Sequence, residues 1–181
     1  MTQRRILLVT PGFPADADDP GLAAVADLVQ RLASNNDVRV IALRHPSKRA
    51  AFAFAGAPVT PLGFDRAGGA LGRARVIVGG IRAVVRAHRR SKVDLVHALW
   101  ADEAGAVAVA AARLIRRPAV VSIMGGELVA LRDIGYGAAL GRGGRITTRL
   151  SLRGAAAITA GSTYVRDQLR AEVAAQVTLA P

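Results

Sequence analysis

Apolar positions along the chain alternate between two periods. Runs at 5–10, 38–43, 93–97, 119–123 and 155–160 are short, rich in Val, Ile, Leu and Ala, and bounded by Gly, Pro, Asn, Asp or charged residues. Such runs are expected to form buried strands. Between them the apolar residues fall at helical spacing. Leu22, Val25, Ala26, Val29, Leu32 and Ala33 line one side of a segment whose other side carries Asp27, Gln30, Arg31 and Ser34. From 70 to 90, Ile77, Val78, Ile81, Val84 and Val85 form an apolar side, and the Gly79-Gly80 pair weakens the middle by about 1 kcal/mol per glycine. Further helices are expected at 102–115, at 145–153 and from a Ser162 cap to about Glu172, with a last strand at 177–180. Residues 44–69 carry Pro46, Pro58, Pro61, Gly56, Gly63 and Gly68 and hold no clear period, so the reading there is loop with one short extra strand at 59–62.

Strand and helix alternating from end to end predict an α/β fold. The form expected is Rossmann-like and doubly wound, with a mainly parallel sheet, right-handed connections and helices on both faces. At 181 residues the chain suits one domain. Its 51% hydrophobic content includes only 4% aromatic residues, so aliphatic side chains must build the core. That composition disfavours an all-β sandwich.

Zero cysteines exclude disulfides and thiolate zinc sites, and His45, His88 and His97 are too scattered to suggest a metal site. No metal and no cofactor are expected. No apolar run approaches the ~18 residues needed to cross a bilayer, so a cytoplasmic protein is expected. The formal charge of +12 points to an anionic partner. Much of it is local: between Asp65 and Asp94 lie seven arginines and Lys92 without one acid. Arg75, Arg82, Arg86 and Arg89 share a helix side there, which reads either as a solvated face or as a peripheral contact with anionic lipid at the inner face of the plasma membrane. Nucleic acid is not expected, because aromatic residues for base stacking are few and no nucleic-acid motif occurs.

Walker, dinucleotide-binding and nucleophile-elbow motifs are absent. What remains are strand ends: Gly12 with Gly21 beyond it, His97 to Trp100, Gly125-Gly126-Glu127, and Gly161-Ser162. The run 120–123 stops at two glycines and an acid, where backbone could approach a ligand closely; a plain tight turn is the equal alternative. Gly21 at a helix start suits an anion, though it reads equally as a turn glycine. His97 and Trp100 read on residue type as packing residues before binding ones. Glu127 is the carboxylate best placed to accept hydrogen bonds from hydroxyl groups.

Taken in order, Ile6 to Pro14, Gly21, Asp94 to Trp100, Gly125-Gly126-Glu127 and Ala157 to Ser162 resemble the N-terminal domain of retaining GT-B glycosyltransferases of the glycosyltransferase 4 type, also called group 1. The resemblance covers essentially the whole chain. It implies the N-terminal, acceptor-side half of a two-domain enzyme that moves a hexosyl group from a nucleotide-diphosphate sugar to the hydroxyl of a small molecule or lipid-linked glycan. Glu127 becomes the catalytic carboxylate, Gly12 and Gly21 donor-phosphate contacts, and His97, Trp100, Gly125, Gly126, Glu127 and Ser162 acceptor contacts. Met124 stands where the family often has histidine, and a thioether cannot exchange a proton. The C-terminal donor-binding domain, with its paired glutamates, has no counterpart among these residues, so the chain by itself is expected to be inactive. The charge alone also allows a non-catalytic nucleotide- or anion-binding module, and Met124 a domain that has lost activity.

Overall fold

The computed structural model describes residues 3–15, 19, 22–47, 50–64, 69–169, 173 and 177–180. Among these residues eight strands form one sheet: β1 (Arg5–Gly12), β2 (Asp37–His45), β3 (Phe52–Phe54), β4 (Ala57–Pro61), β5 (Leu95–Leu99), β6 (Ala119–Ile123), β7 (Ala157–Ala160) and β8 (Val177–Leu179). Their spatial order is β3-β4-β2-β1-β5-β6-β7-β8, and every pairing is parallel except that of β3 with β4. The helices are α1 (Ala23–Ala33), α2 (Gly69–Arg90), α3 (Glu103–Ile115), α4 (Arg142–Gly154) and α5 (Thr163–Asp167).

β1 is the hinge of this order. The chain leaves it in one direction to pair β2 and returns to its other side as β5, from which β6, β7 and β8 follow outward. Right-handed crossovers then force the helices apart. Val25 and Val29 of α1 join Ile6, Leu8, Val38 and Val40 in a core on one face, while α2, α3 and α4 supply Val76, Val84, Val107, Ala111 and Leu152 to a second core with Leu7, Val9, Val96 and Val121. Helices on both faces of a doubly wound sheet are therefore what the structure shows.

Boundary differences have physical causes. β5 begins at Leu95 and runs on to Leu99, two residues later than the aliphatic run predicts, because Ala98 and Leu99 continue the ladders with β1 and β6. Trp100, at φ +71, ends it. The proline-rich segment hides a hairpin, with Phe52 opposite Val59 and a turn through Ala55 and Gly56, both at positive φ. Phe52 and Phe54 pack on Phe13, which is fully buried. α4 starts at Arg142, one turn earlier than predicted. The Ser162 cap is present, its hydroxyl accepting from Val165 N at 3.3 Å, whereas the expected helix end near Glu172 lies outside the described residues.

Gly80 is a packing requirement rather than a weak point. A Cβ there would stand 2.8 Å from Val107 Cγ2 and 3.0 Å from Leu43 Cδ2. The missing side chain lets α2 lie against α3 and β2, and the helix-propensity cost is offset by close packing of two helices on the sheet.

Candidate functional site

Parallel pairing brings the carboxyl ends of β1, β5, β6 and β7 to one edge, and the strand order reverses between β1 and β5, where the binding crevice of an open α/β sheet is expected. The loop after β1 is held to the end of β2 by Phe13 N donating to His45 O at 3.0 Å. Gly12 is tight for a local reason. A Cβ on it would lie 2.9 Å from Leu22 Cδ1 and 3.2 Å from His45 Cβ. Gly21 lies outside the described residues.

Glu127 joins two of these strand ends. It is 2% exposed, and its Oε1 accepts from Ala101 N and Met124 N, both at 3.0 Å. One oxygen thus ties the turn after β5 to the loop after β6, and it is already occupied. Oε2 is buried and has no hydrogen-bond partner among the described residues. The carboxylate that sequence reasoning offers to substrate hydroxyls has one oxygen left to give.

The two glycines before it differ. Gly125 takes φ +114 with open space where a Cβ would stand, so its backbone conformation is what requires glycine. At Gly126 a Cβ would come within 2.7 Å of the Tyr136 hydroxyl, because the following loop folds back over it: Ala138 N donates to Gly126 O at 3.0 Å. Met124 is 42% exposed at this edge. Trp100 is half-buried beside it, its N donating to Ser122 O at 3.0 Å. Trp100, Gly125, Gly126 and Glu127 are therefore brought together. Ser162 lies at the same edge after β7, exposed, with its hydroxyl used as the α5 cap.

His97 does not join them. It sits in the middle of β5, half-buried, with Nε2 2.8 Å from Ser122 Oγ, which in turn is 2.7 Å from Thr159 Oγ1. The register places these three side chains on one face of β5, β6 and β7, within the sheet rather than at its edge. Sequence reasoning passed over Ser122 and Thr159, although a polar residue between Val121 and Ile123 in an otherwise aliphatic strand is a visible signal.

It also missed the acids at the start of α3. Glu103 makes a bidentate pair with Arg44 at the end of β2, with contacts of 2.8 and 3.0 Å, and its Oε1 is 3.4 Å from Arg73 Nε of α2. Asp102 caps α3, accepting from Ala104 N at 3.0 Å. Burial pushes the Asp102 carboxyl up to about 7, the Ala104 N–H opposes the rise, and the neighbouring charges of Glu127 and Glu103 add to it. Burial acts on His97 in the other sense and lowers its pKa to about 4. Among the described residues no three His, Asp or Glu side chains gather as a metal-binding group.

On α2, Arg75, Arg82, Arg86 and Arg89 are all exposed and have no ion-pair partner among the described residues. They share a stripe with Leu71 and Val78, which are 85% and 46% exposed.

The model of the glycosyl transferase 4-like domain matches residues 22–181. No curated protein sequence matches the chain. Among solved structures, sucrose-phosphate synthase from Thermosynechococcus elongatus superposes with a TM-score of 0.69 at 12% identity, covering 98% of this chain and 48% of that one. The UDP-GlcNAc 2-epimerase from Neisseria meningitidis bound to UDP-GlcNAc gives 0.63 at 14% identity, covering 97% and 45%. The UDP-GlcNAc 2-epimerase from Methanocaldococcus jannaschii gives 0.60 at 10%, covering 96% and 45%. The chain spans a little under half the length of these three proteins, and at such identities the likeness is one of fold.

Two predictions follow from the geometry. Glu127→Ala leaves the buried Ala101 N–H and the part-buried Met124 N–H without an acceptor and should lower unfolding free energy by about 2–4 kcal/mol, contrary to the small effect expected of a surface carboxylate. Glu127→Gln keeps an oxygen for both donors and should cost less than half as much; urea unfolding of the two variants measures the difference. The second concerns pH. Between about 6.5 and 4 the unfolded His97 binds a proton that the folded one refuses, so its contribution to stability falls as pH falls. Between about 7 and 3.8 the folded Asp102 holds a proton that the unfolded one loses, so its contribution rises as pH falls. Relative to the wild type, His97→Gln should therefore gain stability on acidification, by up to about 1.4 kcal/mol per pH unit, and Asp102→Asn should lose it. Parallel stability curves for all three proteins would overturn the assignment.

Proposed function

The chain belongs to the glycosyl transferase 4-like family, and from that membership we propose that it is the acceptor-side domain of a retaining GT-B hexosyltransferase. The observation that carries the proposal is the family match over residues 22–181, on a sheet whose strand order reverses between β1 and β5. In the reaction proposed, the acceptor hydroxyl replaces a nucleoside diphosphate at the anomeric carbon of a nucleotide sugar. The new glycosidic bond keeps the configuration of the old one, and the hydroxyl proton leaves with the diphosphate.

Glu127 acts first as a positioning residue, fixing the loops after β5 and β6 through Oε1, and second as a hydrogen-bond acceptor through Oε2. Gly125, open where a Cβ would stand, lets the acceptor approach the backbone, Gly126 makes room for the Tyr136 hydroxyl that covers it, and Trp100 supplies an apolar wall. Ser162 lies at the rim, and the donor-phosphate contacts are assigned to Gly12 and, from the family resemblance alone, to Gly21. His97 supports this edge from within the sheet. A second domain, which the domain organisation of such enzymes requires, grips the donor, and no cofactor beyond the nucleotide sugar is invoked.

The basic stripe of α2 suits an anionic membrane surface at the cytoplasmic side, where each arginine near the bilayer contributes about 1 kcal/mol. That placement would bring a lipid-linked acceptor to the crevice.

Both parts are open to test. UDP- and GDP-sugars titrated into the chain should bind only weakly, with a Kd of about 1 mM or worse, and transfer should appear only when a donor-binding domain is supplied with it. Micromolar donor affinity for the chain alone would overturn the division of labour. In co-sedimentation, the chain should pellet with anionic but not with neutral vesicles, and the triple variant Arg82→Glu, Arg86→Glu, Arg89→Glu should stay in solution, as should the wild type at high salt. Equal pelleting with both vesicle types would remove the membrane from the proposal.

A further inference from the structure

A cavity of about 370 Å³ lies behind the Glu127 loop, against α4. Its volume is in the range of small-ligand sites. Two independent features mark it. Glu127 Oε2 and Thr148 Oγ1 are both buried without a hydrogen-bond partner among the described residues, and both residues line this one cavity. Their side chains belong to residues 2% and 6% exposed. Unsatisfied buried polar atoms are rare enough that two at one place call for a partner from outside the chain.

The second feature is charge. Arg145, Arg149 and Arg153 recur every four residues along α4 and line the same cavity, against a single acid among the described residues, Glu127. Arg145 gives one N–H to Ala139 O at 2.9 Å; Arg149 and Arg153 have no ion-pair partner among the described residues. Like charges at this spacing repel, and an anion between them relieves the repulsion. Leu152 and Leu169 add apolar lining beside the polar groups.

We propose that this cavity binds a phosphorylated polyol, its phosphate held by Arg149 and Arg153 and its hydroxyls by Glu127 Oε2 and Thr148 Oγ1. The charge excess selects an anion. A carboxylate oxygen that can only accept selects a hydroxyl donor on the same molecule, because a bare anion would be repelled by it. The arginine fork matches phosphate oxygens in two-point contact. That the ester is the acceptor substrate rests on the glycosyl-transfer reading; that the cavity binds it does not.

Calorimetric titration of the chain tests the site with glucose 1-phosphate, inorganic phosphate and glucose as probes. Glucose 1-phosphate should bind saturably and at least tenfold more tightly than either of the others. The double variant Arg149→Ala, Arg153→Ala should weaken it at least tenfold with an unchanged melting midpoint, since both side chains stand on the surface. Thr148→Val, close in volume, should weaken glucose 1-phosphate severalfold and leave inorganic phosphate unaffected. Inorganic phosphate binding as tightly as the sugar ester would reduce the site to an anion patch and overturn the proposal, as would the absence of saturable binding to a folded chain. A vesicle arm separates the sources of the ester. Preference for phosphatidylglycerol over phosphatidylserine at equal charge, lost in the double variant, assigns a lipid headgroup; equal binding to the two, with the titration positive, assigns a free phosphate ester. Because no donor and no transfer enter these measurements, a failed transfer assay and a failed titration are separate results.

Discussion

Everything in this chain hangs from the parallel pairing of β1 on both of its edges. A strand so placed cannot be joined to its neighbours by hairpins, so each connection must cross a face of the sheet, and the right-handed rule then decides which face. Moving to β2 puts α1 on one side; moving to β5 and outward puts α2, α3 and α4 on the other. The same constraint delivers every following loop to one edge. The crevice at the strand ends is thus a product of topology before any side chain is specified, and the residues around it decide what it can hold.

What they do first is fix the edge. Glu127 Oε1 gathers N–H groups from two loops, Glu103 gathers Arg44 and Arg73 from β2 and α2, and Ser151 of α4 donates to Asp102 O at 3.2 Å. Three carbonyl or carboxylate acceptors therefore join the loops after β5 and β6 to each other, and β2, α2 and α4 to the start of α3. The acids are spent inward or on near neighbours: Asp94 pairs with Arg5 at 2.7 Å, and Asp37 with Arg39 at 3.0 Å. The arginines of α2 and α4 are what this internal use leaves over, which is how a chain of +12 comes to carry its excess on helix surfaces.

Much of this was legible in the sequence. Aliphatic runs gave β1, β2 and β6, helical spacing gave α1, α2 and α3, and alternation gave the doubly wound sheet. Legibility failed where one residue's meaning depends on a distant one. Phe52 and Phe54 form a strand of only three residues, too short to show a period, and the ring that packs theirs, Phe13, comes from the end of β1. His97 read as a strand end, since the pairing that carries β5 on to Leu99 comes from β1 and β6. Glu127 was found as a residue but not as a clamp, because its donors, Ala101 and Met124, belong to two different strand ends. The arginines of α4 and the hydroxyl of Thr148 look like ordinary helix surface until the fold of the preceding loop closes a cavity against them.

The three-strand hydrogen-bond chain from His97 through Ser122 to Thr159 has a directional consequence. A neutral imidazole exists as two tautomers, and each hydroxyl in a chain donates one way only. If Nε2 carries the proton, Ser122 donates its own to Thr159, and Thr159 keeps its hydrogen for a further acceptor. If Nδ1 carries it, every donor in the row turns round and Thr159 offers its neighbours lone pairs instead. A single proton hop on one ring thus inverts the polarity of a row of groups spanning β5, β6 and β7, without any change in net charge or any movement of the backbone.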